Sequence, residues 1–386
     1  MVFTLLPATE QDFVNREDIV LDMVHSLSNK KERIGYALYG KRRIGKTSIF
    51  REVERSLKET NWVVPVYFSV WDLFEDRVEE FVRKLTVAIL DGYRARVSLR
   101  YKAKNLLKLP LALLKETMKE TGITLKLQDE IEILLSFGKE KSLDYDELIE
   151  DLFLLPEHLA EETKTRCVLL IDEFPSIMEF KNSSGMALVR KIRTISEGLK
   201  QTIICISGSI RKTMEVVAFS EVSPFYRQFI VKEIKELPLE DVEELITRNL
   251  GREVSSAVIE RIYGLSGGVP FYVQLLGKRI ESAKGEVKCK NDVDKIMHDI
   301  LSEEGDILFK EEFSKVSPKE RGIIFKMAVD DVHTPSSIAK ALGDSPSNVS
   351  KFLSYLDEKG VVSKVDRGVY ILEDSIFKMW IKKKYW

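Results

Sequence analysis

Long apolar runs are missing from this chain of 386 residues, although 44% of its residues are hydrophobic. No stretch approaches the roughly 18 to 20 apolar residues that a membrane-spanning helix needs. The first residues also lack a basic segment followed by a long hydrophobic one, which is the pattern of a secretory leader. These absences argue against a membrane protein and predict a soluble, cytoplasmic one.

Cysteine and histidine are scarce, with three and four residues respectively. Cys167 and Cys205 lie inside apolar runs, where we expect reduced, buried thiols rather than disulfide partners. The histidines are scattered, and no cysteine pair has the spacing of zinc ligands. A dedicated metal centre built from these residues is therefore not expected.

A strong charge of one sign is absent too, because 60 basic and 62 acidic residues leave a formal net charge of −2. Charged residues nevertheless make up 32% of the chain. Such a dense mixture of both signs is typical of ion-pair-rich thermophilic surfaces. The length allows two or three domains, each with its own hydrophobic core.

The first half of the chain alternates short apolar runs with helical periodicity, which is typical of a parallel sheet flanked by helices. We predict strands at Arg33–Gly40, Trp62–Val70, Cys167–Asp172 and Thr202–Ser209. They belong to an α/β core that we assign to residues 1–234.

A long insert, about residues 91–162, separates the second and third predicted strands. It begins with a basic amphipathic stretch and continues with an alternating segment, 123–138, that is typical of a hairpin. A solvated insert and a surface that contacts a partner or a membrane both fit this pattern.

From about residue 235 the pattern becomes purely helical, and we assign residues 235–312 to an all-α lid. Residues 313–386 then show three helices followed by two short strands across a turn at Asp366 to Gly368. That order is typical of a winged helix-turn-helix.

A glycine-rich segment follows the first predicted strand and precedes a helical run, which is the context that a phosphate-binding loop requires. Its glycines let backbone N–H groups point inward, and the following helix N-terminus adds partial positive charge. Lys46 would reach the β- and γ-phosphates of a nucleotide, and the Thr47 hydroxyl would bind Mg²⁺. The candidate phosphate-binding residues are Gly40, Lys41, Arg42, Arg43, Ile44, Gly45, Lys46, Thr47 and Ser48.

The third predicted strand ends in two carboxylates, Asp172 and Glu173. Asp172 suits an outer-sphere partner of Mg²⁺, and Glu173 suits a general base that polarises an attacking water. An apolar strand ending in two acidic residues is a weak signal alone, because such residues commonly open a loop. The phosphate loop upstream favours the functional interpretation.

Polar residues also follow the fourth predicted strand. Ser207 and Ser209 compete for the role of orienting the attacking water, and an ordinary strand-end turn is the alternative. Arg227 is the candidate for a guanidinium that senses the γ-phosphate, because transition-state charge needs a positioned cation. An ordinary surface arginine is the alternative there.

Together these residues resemble the archaeal-type ATPase family of the signal-transduction ATPases with numerous domains (STAND), in the AAA+-like branch of P-loop proteins. The resemblance rests on FVNRED, YGKRRIGKTSI, LLIDEFPSI, ISGSI followed by SPFYR, SGGVPFY, and the ending YILEDSIFKMW. It implies that Phe13, Asn15 and Arg16 border the adenine. It also implies that Gly268, Val269 and Pro270 form the lid motif that packs against the nucleotide.

The C-terminal unit has a moderately basic face. Ser347, Asn348, Ser350, Lys351 and Ser354 lie on the presumed recognition helix, and Lys364 and Arg367 on the wing. These groups suit contacts with double-stranded DNA. Nearby acidic residues dilute the charge, and winged helices also dock proteins or pack within their own chain.

We therefore expect an ATP-dependent and Mg²⁺-dependent switch that hydrolyses ATP slowly and relays its nucleotide state through the lid to the winged helix. The alternative is a DNA-binding regulatory protein in which the nucleotide only sets the conformation.

Overall fold

A computed structural model describes residues 3–10, 13–97, 145–181, 183–209, 211–283 and 287–385. The hairpin predicted at 123–138 lies outside the described residues, as does the basic stretch from residue 98 onward. In the described ranges, no helix combines the length and the apolar character that crossing a membrane requires.

A parallel sheet with strand order β2-β3-β4-β1-β5 forms the centre of the first half. The four strands predicted from the sequence are present within two residues of their expected ends, and β5 is an addition. Since every strand runs the same way, the carboxyl ends of β1, β3 and β4 meet at one edge of the sheet. The strands are β1 (Gly35–Tyr39), β2 (Val63–Ser69), β3 (Arg166–Asp172), β4 (Thr202–Gly208) and β5 (Phe229–Glu233).

Successive side chains along a strand point to opposite faces of the sheet, so the hydrophobic core is divided between the two faces. In β3, Val168 and Leu170 pack on one face with α1 and α2, whereas Leu169 and Ile171 pack on the other with α3, α4 and α5. The helices are α1 (Glu17–Ser28), α2 (Lys46–Leu57), α3 (Val78–Val97), α4 (Tyr145–Thr163) and α5 (Gly185–Ser196). Both faces are thus covered, which explains why β3 is buried throughout and apolar from Cys167 to Ile171.

Short helical segments follow the strands at the carboxyl edge. They are 3-10 helices at Val70–Asp72 and Phe174–Glu179, α6 (Arg211–Met214), and a π-helical turn at Glu215–Phe219. The last two lead the chain from the end of β4 towards the start of β5.

The remaining helices form the lid and the C-terminal unit. They are α7 (Leu239–Leu250), α8 (Ser256–Ser266), α9 (Pro270–Ser282), α10 (Lys290–Glu303), α11 (Gly305–Ser314), α12 (Pro318–Val329), α13 (Pro335–Leu342), α14 (Pro346–Glu358) and α15 (Ser375–Tyr385). Between α14 and α15, β6 (Val362–Asp366) and β7 (Val369–Leu372) pair antiparallel. Three helices followed by this hairpin confirm the predicted winged-helix order.

The lid and the C-terminal unit share one hydrophobic core. Leu245 and Leu276 of the lid belong to the same buried cluster as Ile323, Leu353 and Trp380. The boundary that the sequence places between residues 312 and 313 falls inside α11, and α15 returns from the hairpin to pack on the lid. The two units are therefore joined by packing as well as by the chain.

Candidate functional site

The segment between β1 and α2 has a backbone that only glycine can adopt at two positions. Gly40 has φ of +155°, and a Cβ there would lie 2.3 Å from the carbonyl oxygen of Ile234. Gly45 has φ of +98°, and a Cβ there would lie 2.7 Å from Nη1 of Arg16. Gly45 caps the N-terminus of α2, so the loop ends at backbone N–H groups that suit an anion.

Lys46 points back into this loop. Its ammonium group donates to the carbonyl oxygens of Gly40 (2.9 Å) and Lys41 (3.0 Å), and it lies 4.0 Å from Oε1 of Glu173. The side chain is only 5% exposed. Burial lowers the pKa of Lys46, and the nearby carboxylates of Glu173 and Asp172 oppose that change. The loop therefore holds a cation close to the position where an anion would bind.

Asp172 receives hydroxyl donors on both carboxylate oxygens. Its Oδ2 accepts from Thr47 (2.6 Å) and from Tyr67 (2.9 Å), and its Oδ1 accepts from the Ser207 hydroxyl. A hydroxyl and a carboxylate side by side are hard oxygen ligands of the type Mg²⁺ prefers. In the described part of the chain, no cluster of three or more His, Cys, Asp or Glu side chains could hold a metal ion. A nucleotide-bound Mg²⁺ needs only one or two protein oxygens, because phosphates and waters complete its shell.

Glu173 has a left-handed backbone, with φ of 51°, directly after β3. Its Oε2 accepts from the backbone N–H (3.1 Å) and the hydroxyl (3.0 Å) of Ser209, while its own N–H donates to the Ser207 hydroxyl at 3.2 Å. Burial raises the pKa of Glu173, and Lys46 opposes this rise. The two serines that the sequence left in competition thus donate to different carboxylates, Ser207 to Asp172 and Ser209 to Glu173.

The segment before α1 supports the phosphate loop. Arg16 is buried, and its guanidinium donates to the carbonyl oxygens of Ile44 and Lys235 (2.7 Å to the latter). Burial lowers the pKa of Arg16 to about 10, still well above neutral pH. Phe13 packs into the core of the sheet, and Asn15 has φ of 62°. Arg16 therefore bridges the loop to the chain that enters the lid.

Ser48 contacts the N-terminal segment rather than another loop residue. Its hydroxyl accepts from the N–H of Ala8 at 3.1 Å. Ile44, in contrast, is almost fully buried in the core against α1 and α2. Arg42 lies over the exposed ring of Trp71, with 5.7 Å between the guanidinium carbon and the ring centroid.

The lid motif is fixed by backbone contacts with the end of the sheet. Gly268 has φ of +71°, and a Cβ there would lie 2.2 Å from the carbonyl oxygen of Leu237. The N–H of Leu237 donates to the carbonyl oxygen of Gly268 at 2.8 Å. Pro270 is the first residue of α9, where the missing N–H of proline has no cost. Val269 packs against the cores of both the sheet and the lid.

Two basic side chains of the phosphate loop reach across to the lid and the C-terminal unit. Arg43 donates to the Tyr272 hydroxyl (2.7 Å), to Oδ2 of Asp374 (3.2 Å) and to the carbonyl oxygen of Leu308 (3.0 Å). Lys41 pairs with Glu236 (2.8 Å) and Glu373 (3.3 Å).

Asp374, one of the acceptors of Arg43, is itself held by several hydrogen bonds. Oδ1 of Asp374 accepts the N–H groups of Ile376 and Phe377, both at 2.9 Å, and so caps α15. Its Oδ2 also accepts from the Tyr272 hydroxyl. Burial raises the pKa of Asp374, while Tyr272 and Arg43 act in the opposite direction.

Arg227 lies before the start of β5, at the opposite end of β1 from the phosphate loop of its own chain, and its role as a γ-phosphate sensor stays a prediction. It precedes β5, whose first residue Phe229 pairs with Gly35 at the start of β1. The phosphate loop follows the other end of β1, about 13 Å further along the strand. The segment after β4 carries the chain back to the amino edge of the sheet, so closeness to Ser209 in sequence did not mean closeness in space. Arg227 is exposed and lies over the ring of Tyr226.

The strand order and this loop together define a P-loop nucleotide-binding protein of the AAA+-like type. The profile of a family described as the ATPase domain predominantly from Archaea matches residues 13–276. The chain belongs to that family of ATPases. No curated protein sequence matches it.

Solved structures share the whole architecture at low identity. The Walker-type ATPase PABY2304 of Pyrococcus abyssi has a TM-score of 0.70 and 18% identity, covering 99% of this chain and 100% of that chain. The Aeropyrum pernix ORC2 protein in its ADPNP-ADP complexes has a TM-score of 0.56 and 11% identity, with coverage of 99% and 97%. The Aeropyrum pernix ORC1 protein in complex with DNA has a TM-score of 0.52 and 14% identity, with coverage of 98% and 95%. At these identities the likeness shows the fold alone.

Sequence reasoning missed Tyr67, Tyr272 and Asp374. Tyr67 lies in an apolar run and looks like an ordinary core residue. Asp374 and its neighbour Glu373 were quoted only within the C-terminal motif. No spacing along the chain links Arg43 with Asp374, which are 331 residues apart.

Proposed function

We propose that this ATPase is a Mg²⁺-dependent, slowly hydrolysing switch that relays its nucleotide state through the lid to the C-terminal winged helix. Membership of that ATPase family supports ATP as the ligand. The proposed coupling between the nucleotide site and the winged helix is supported by the contacts that Lys41 and Arg43 of the phosphate loop make outside the ATPase core.

Lys46 is proposed to bind the β- and γ-phosphates, because its ammonium lies inside the loop, hydrogen-bonded to the carbonyl oxygens of Gly40 and Lys41 and 4.0 Å from the Glu173 carboxylate. Thr47 and Asp172 are proposed to hold Mg²⁺, which when bound would neutralise the charge that develops on the phosphates. Ser207 orients Asp172 in this proposal. Arg227 is not part of the proposed catalytic set of its own chain.

Glu173 is proposed as the general base. Its raised pKa brings its basicity closer to that of an efficient proton acceptor near neutral pH. The two hydrogen bonds from Ser209 hold one carboxylate oxygen and leave Oε1 directed towards Lys46. Ser209 is thus proposed to aim the base at the water that attacks the γ-phosphate.

The adenine is proposed to lie at the junction of the sheet and the lid. Phe13 and Asn15 precede α1 at this junction, and Arg248 of the lid donates to the carbonyl oxygen of Phe13 at 3.4 Å. Val269 and Pro270 approach the same junction from the lid, since Val269 packs on both cores. In this arrangement Arg16 supports the phosphate loop, and we do not propose that it contacts the adenine.

The observation that carries the switch proposal is the position of Lys41 and Arg43. Both belong to the loop that wraps the phosphates, yet Lys41 pairs with Glu373 and Arg43 with Asp374, immediately before α15. A loop movement on exchange of ADP for ATP therefore acts directly on the C-terminal unit. A ligand can shift such an equilibrium only through its differential affinity for the two states, typically 1–3 kcal/mol.

A distance measurement tests this coupling. Spin labels would be attached at Glu59→Cys on the core and Glu358→Cys on α14, in protein carrying Cys289→Ser. The distance between the labels would be measured once with ADP bound and once with a non-hydrolysable ATP analogue bound. We expect different distance distributions in the two states. We further expect Asp374→Asn to reduce the difference, because asparagine still caps α15 but no longer pairs with the Arg43 charge.

The matched control is Asp306→Asn. Asp306 also binds α15, accepting from Trp380 at 3.0 Å and from Lys384, and both of these partners lie on α15 rather than on the phosphate loop. This variant should keep the full distance change. Identical distances with ADP and the ATP analogue in the unsubstituted protein would leave an ATPase without a relay.

Double-stranded DNA is the second proposed partner. Ser347, Ser350 and Lys351 are exposed on α14, and Lys364 and Arg367 are exposed on the hairpin, as a DNA-binding winged helix requires. The likeness to an ORC1 protein that binds DNA supports the same idea. However, α14 also lies against α6 of the ATPase core, which favours packing within the chain.

Neutralising Lys351, Lys364 and Arg367 should flatten the salt dependence of DNA binding by about one unit of slope per contact. No DNA affinity at low salt, with either nucleotide, would exclude this partner.

A further inference from the structure

Asp172 is a buried carboxylate, 3% exposed, at the end of β3. Among the described residues its carboxylate accepts hydrogen bonds from hydroxyl groups alone, and two of them, from Thr47 and Tyr67, converge on the same oxygen. A buried carboxylate needs such donors because it has lost its water. Thr47 was expected near Asp172 because both were assigned to Mg²⁺, whereas Tyr67 belongs to no motif.

Tyr67 reaches Asp172 because of the strand register. It lies on β2 opposite Leu170, and Ser69 lies opposite Asp172. Side chains two residues apart on a strand point to the same face, so Tyr67 is diagonal to Asp172 on the face that α2 covers. Its hydroxyl is therefore directed along β3 towards the carboxyl edge.

Helix α2 holds the Tyr67 ring in place. Arg51 follows Thr47 by one helical turn, so both side chains face β2 and β3. The guanidinium carbon of Arg51 lies 3.4 Å from the centroid of the Tyr67 ring. Burial and the neighbouring Asp172 charge raise the pKa of Tyr67 far above its usual value. The hydroxyl consequently remains a neutral donor at physiological pH.

We propose that Tyr67 is a positioning residue of the Mg²⁺-nucleotide site, which it serves by fixing the orientation of the Asp172 carboxylate. The inference rests on the proposed roles of Thr47 and Asp172. A threonine hydroxyl has one proton and two lone pairs. While its proton is directed to Oδ2 of Asp172, its lone pairs are directed away and remain available to a cation. A second donor on the same oxygen keeps the carboxylate from turning and so fixes the direction of that proton.

The test compares Tyr67→Phe with Tyr93→Phe. The first variant keeps the ring under Arg51 and removes only the hydroxyl. The second removes a buried hydroxyl that donates to the carbonyl oxygen of Pro156 at 3.1 Å, outside the site. Binding of a fluorescent, non-hydrolysable ATP analogue would be measured in EDTA and across a titration of free Mg²⁺, after thermal unfolding has confirmed that both variants fold.

For Tyr67→Phe we expect unchanged affinity in EDTA and about a tenfold or greater rise in the Mg²⁺ concentration needed for half-maximal enhancement, as for other groups that orient metal ligands. Tyr93→Phe should titrate like the unsubstituted protein. A Mg²⁺ titration of Tyr67→Phe that matches the unsubstituted protein overturns the inference. So does an equal loss of affinity with and without Mg²⁺, which would indicate a purely structural role.

Failure of the underlying proposal would look different. If the unsubstituted protein bound the ATP analogue with no response to Mg²⁺, the roles of Thr47 and Asp172 would be wrong, and the role of Tyr67 with them. If it responded to Mg²⁺ while Tyr67→Phe behaved normally, only the positioning role would be lost. Ser207→Ala offers a second measurement, because it removes the donor on the other oxygen of Asp172 and should also raise the Mg²⁺ requirement.

Discussion

Single residues of the site are held by contacts that suit their proposed chemistry. Lys46 illustrates this, since its ammonium is bonded to carbonyl oxygens of the loop that would surround a phosphate. We expect Lys46→Ala to abolish measurable ATP binding while the fold persists, because the loop loses its buried cation. Lys58→Ala, at the exposed end of the same helix, should bind ATP normally. Calorimetric titration with ATP would measure both, and unchanged affinity in Lys46→Ala would contradict the central role of this loop.

Glu173 provides a second prediction at the residue scale. Glu173→Gln should bind ATP and stall, because it loses the base and keeps Thr47 and Asp172. Since burial raises the pKa of Glu173, and only the ionised carboxylate accepts a proton, turnover should fall on the acid side starting above the usual carboxyl range. The profile of kcat/KM against pH would measure this, with ATP binding followed in parallel. Turnover of Glu173→Gln at the unsubstituted rate would assign the base to another residue.

How much the sequence predicts depends on how local the information is. The phosphate loop and the two carboxylates after β3 follow from strand-loop-helix patterns within a few residues, and they lie together as expected. Tyr67 and Asp374 depend on strand register and on packing between distant segments, which no local pattern encodes. The position of Arg227 depends on the same kind of information, because a sequence does not state at which end of the sheet a connecting segment returns.

Among the strands and helices, β5 is an element that the sequence patterns do not predict. Its five residues, FIVKE, are at most partly buried and include two charges, so they lack the continuous apolar run that identified the other strands. The edge strand is recognisable only from its pairing with β1. That pairing nonetheless matters, because the carbonyl oxygen of Ile234, which follows β5, is the group that excludes a side chain at Gly40.

The turn that starts α9 allows a matched pair of substitutions. Gly267 and Gly268 both have positive φ, but a Cβ at Gly267 would meet nothing within 4 Å, whereas one at Gly268 would lie 2.2 Å from the carbonyl oxygen of Leu237. Gly267→Ala should cost about 1–2 kcal/mol of unfolding free energy from backbone strain. Gly268→Ala should cost about a further 1–3 kcal/mol from the clash. Urea unfolding would compare them, and equal losses would mean that the turn relaxes freely.

At the scale of the whole molecule, the common core of the lid and the winged helix predicts that they unfold together. Leu276→Ala in α9 should cost about 2–5 kcal/mol, and the loss should appear in the amides of α14 as well as in those of α7. The amides of β3, in the separate core of the sheet, serve as the internal control. Native-state hydrogen exchange would measure all three. Unchanged protection in α14 would show that the winged helix is an independent unit.

The position of Phe3 has a consequence for the synthesis of this protein. Its ring packs against Gly277 in the core of the lid, and the N–H of Thr4 donates to the side chain of Gln274, 270 residues away, at 3.2 Å. At about 5–20 residues per second, the ribosome takes roughly 14 to 54 s to make that intervening chain. The strands and the phosphate loop emerge in the meantime, so Phe3 and Thr4 reach their partners only after the whole sheet has been made. The lid is therefore completed by residues that were synthesised 270 positions before their partner.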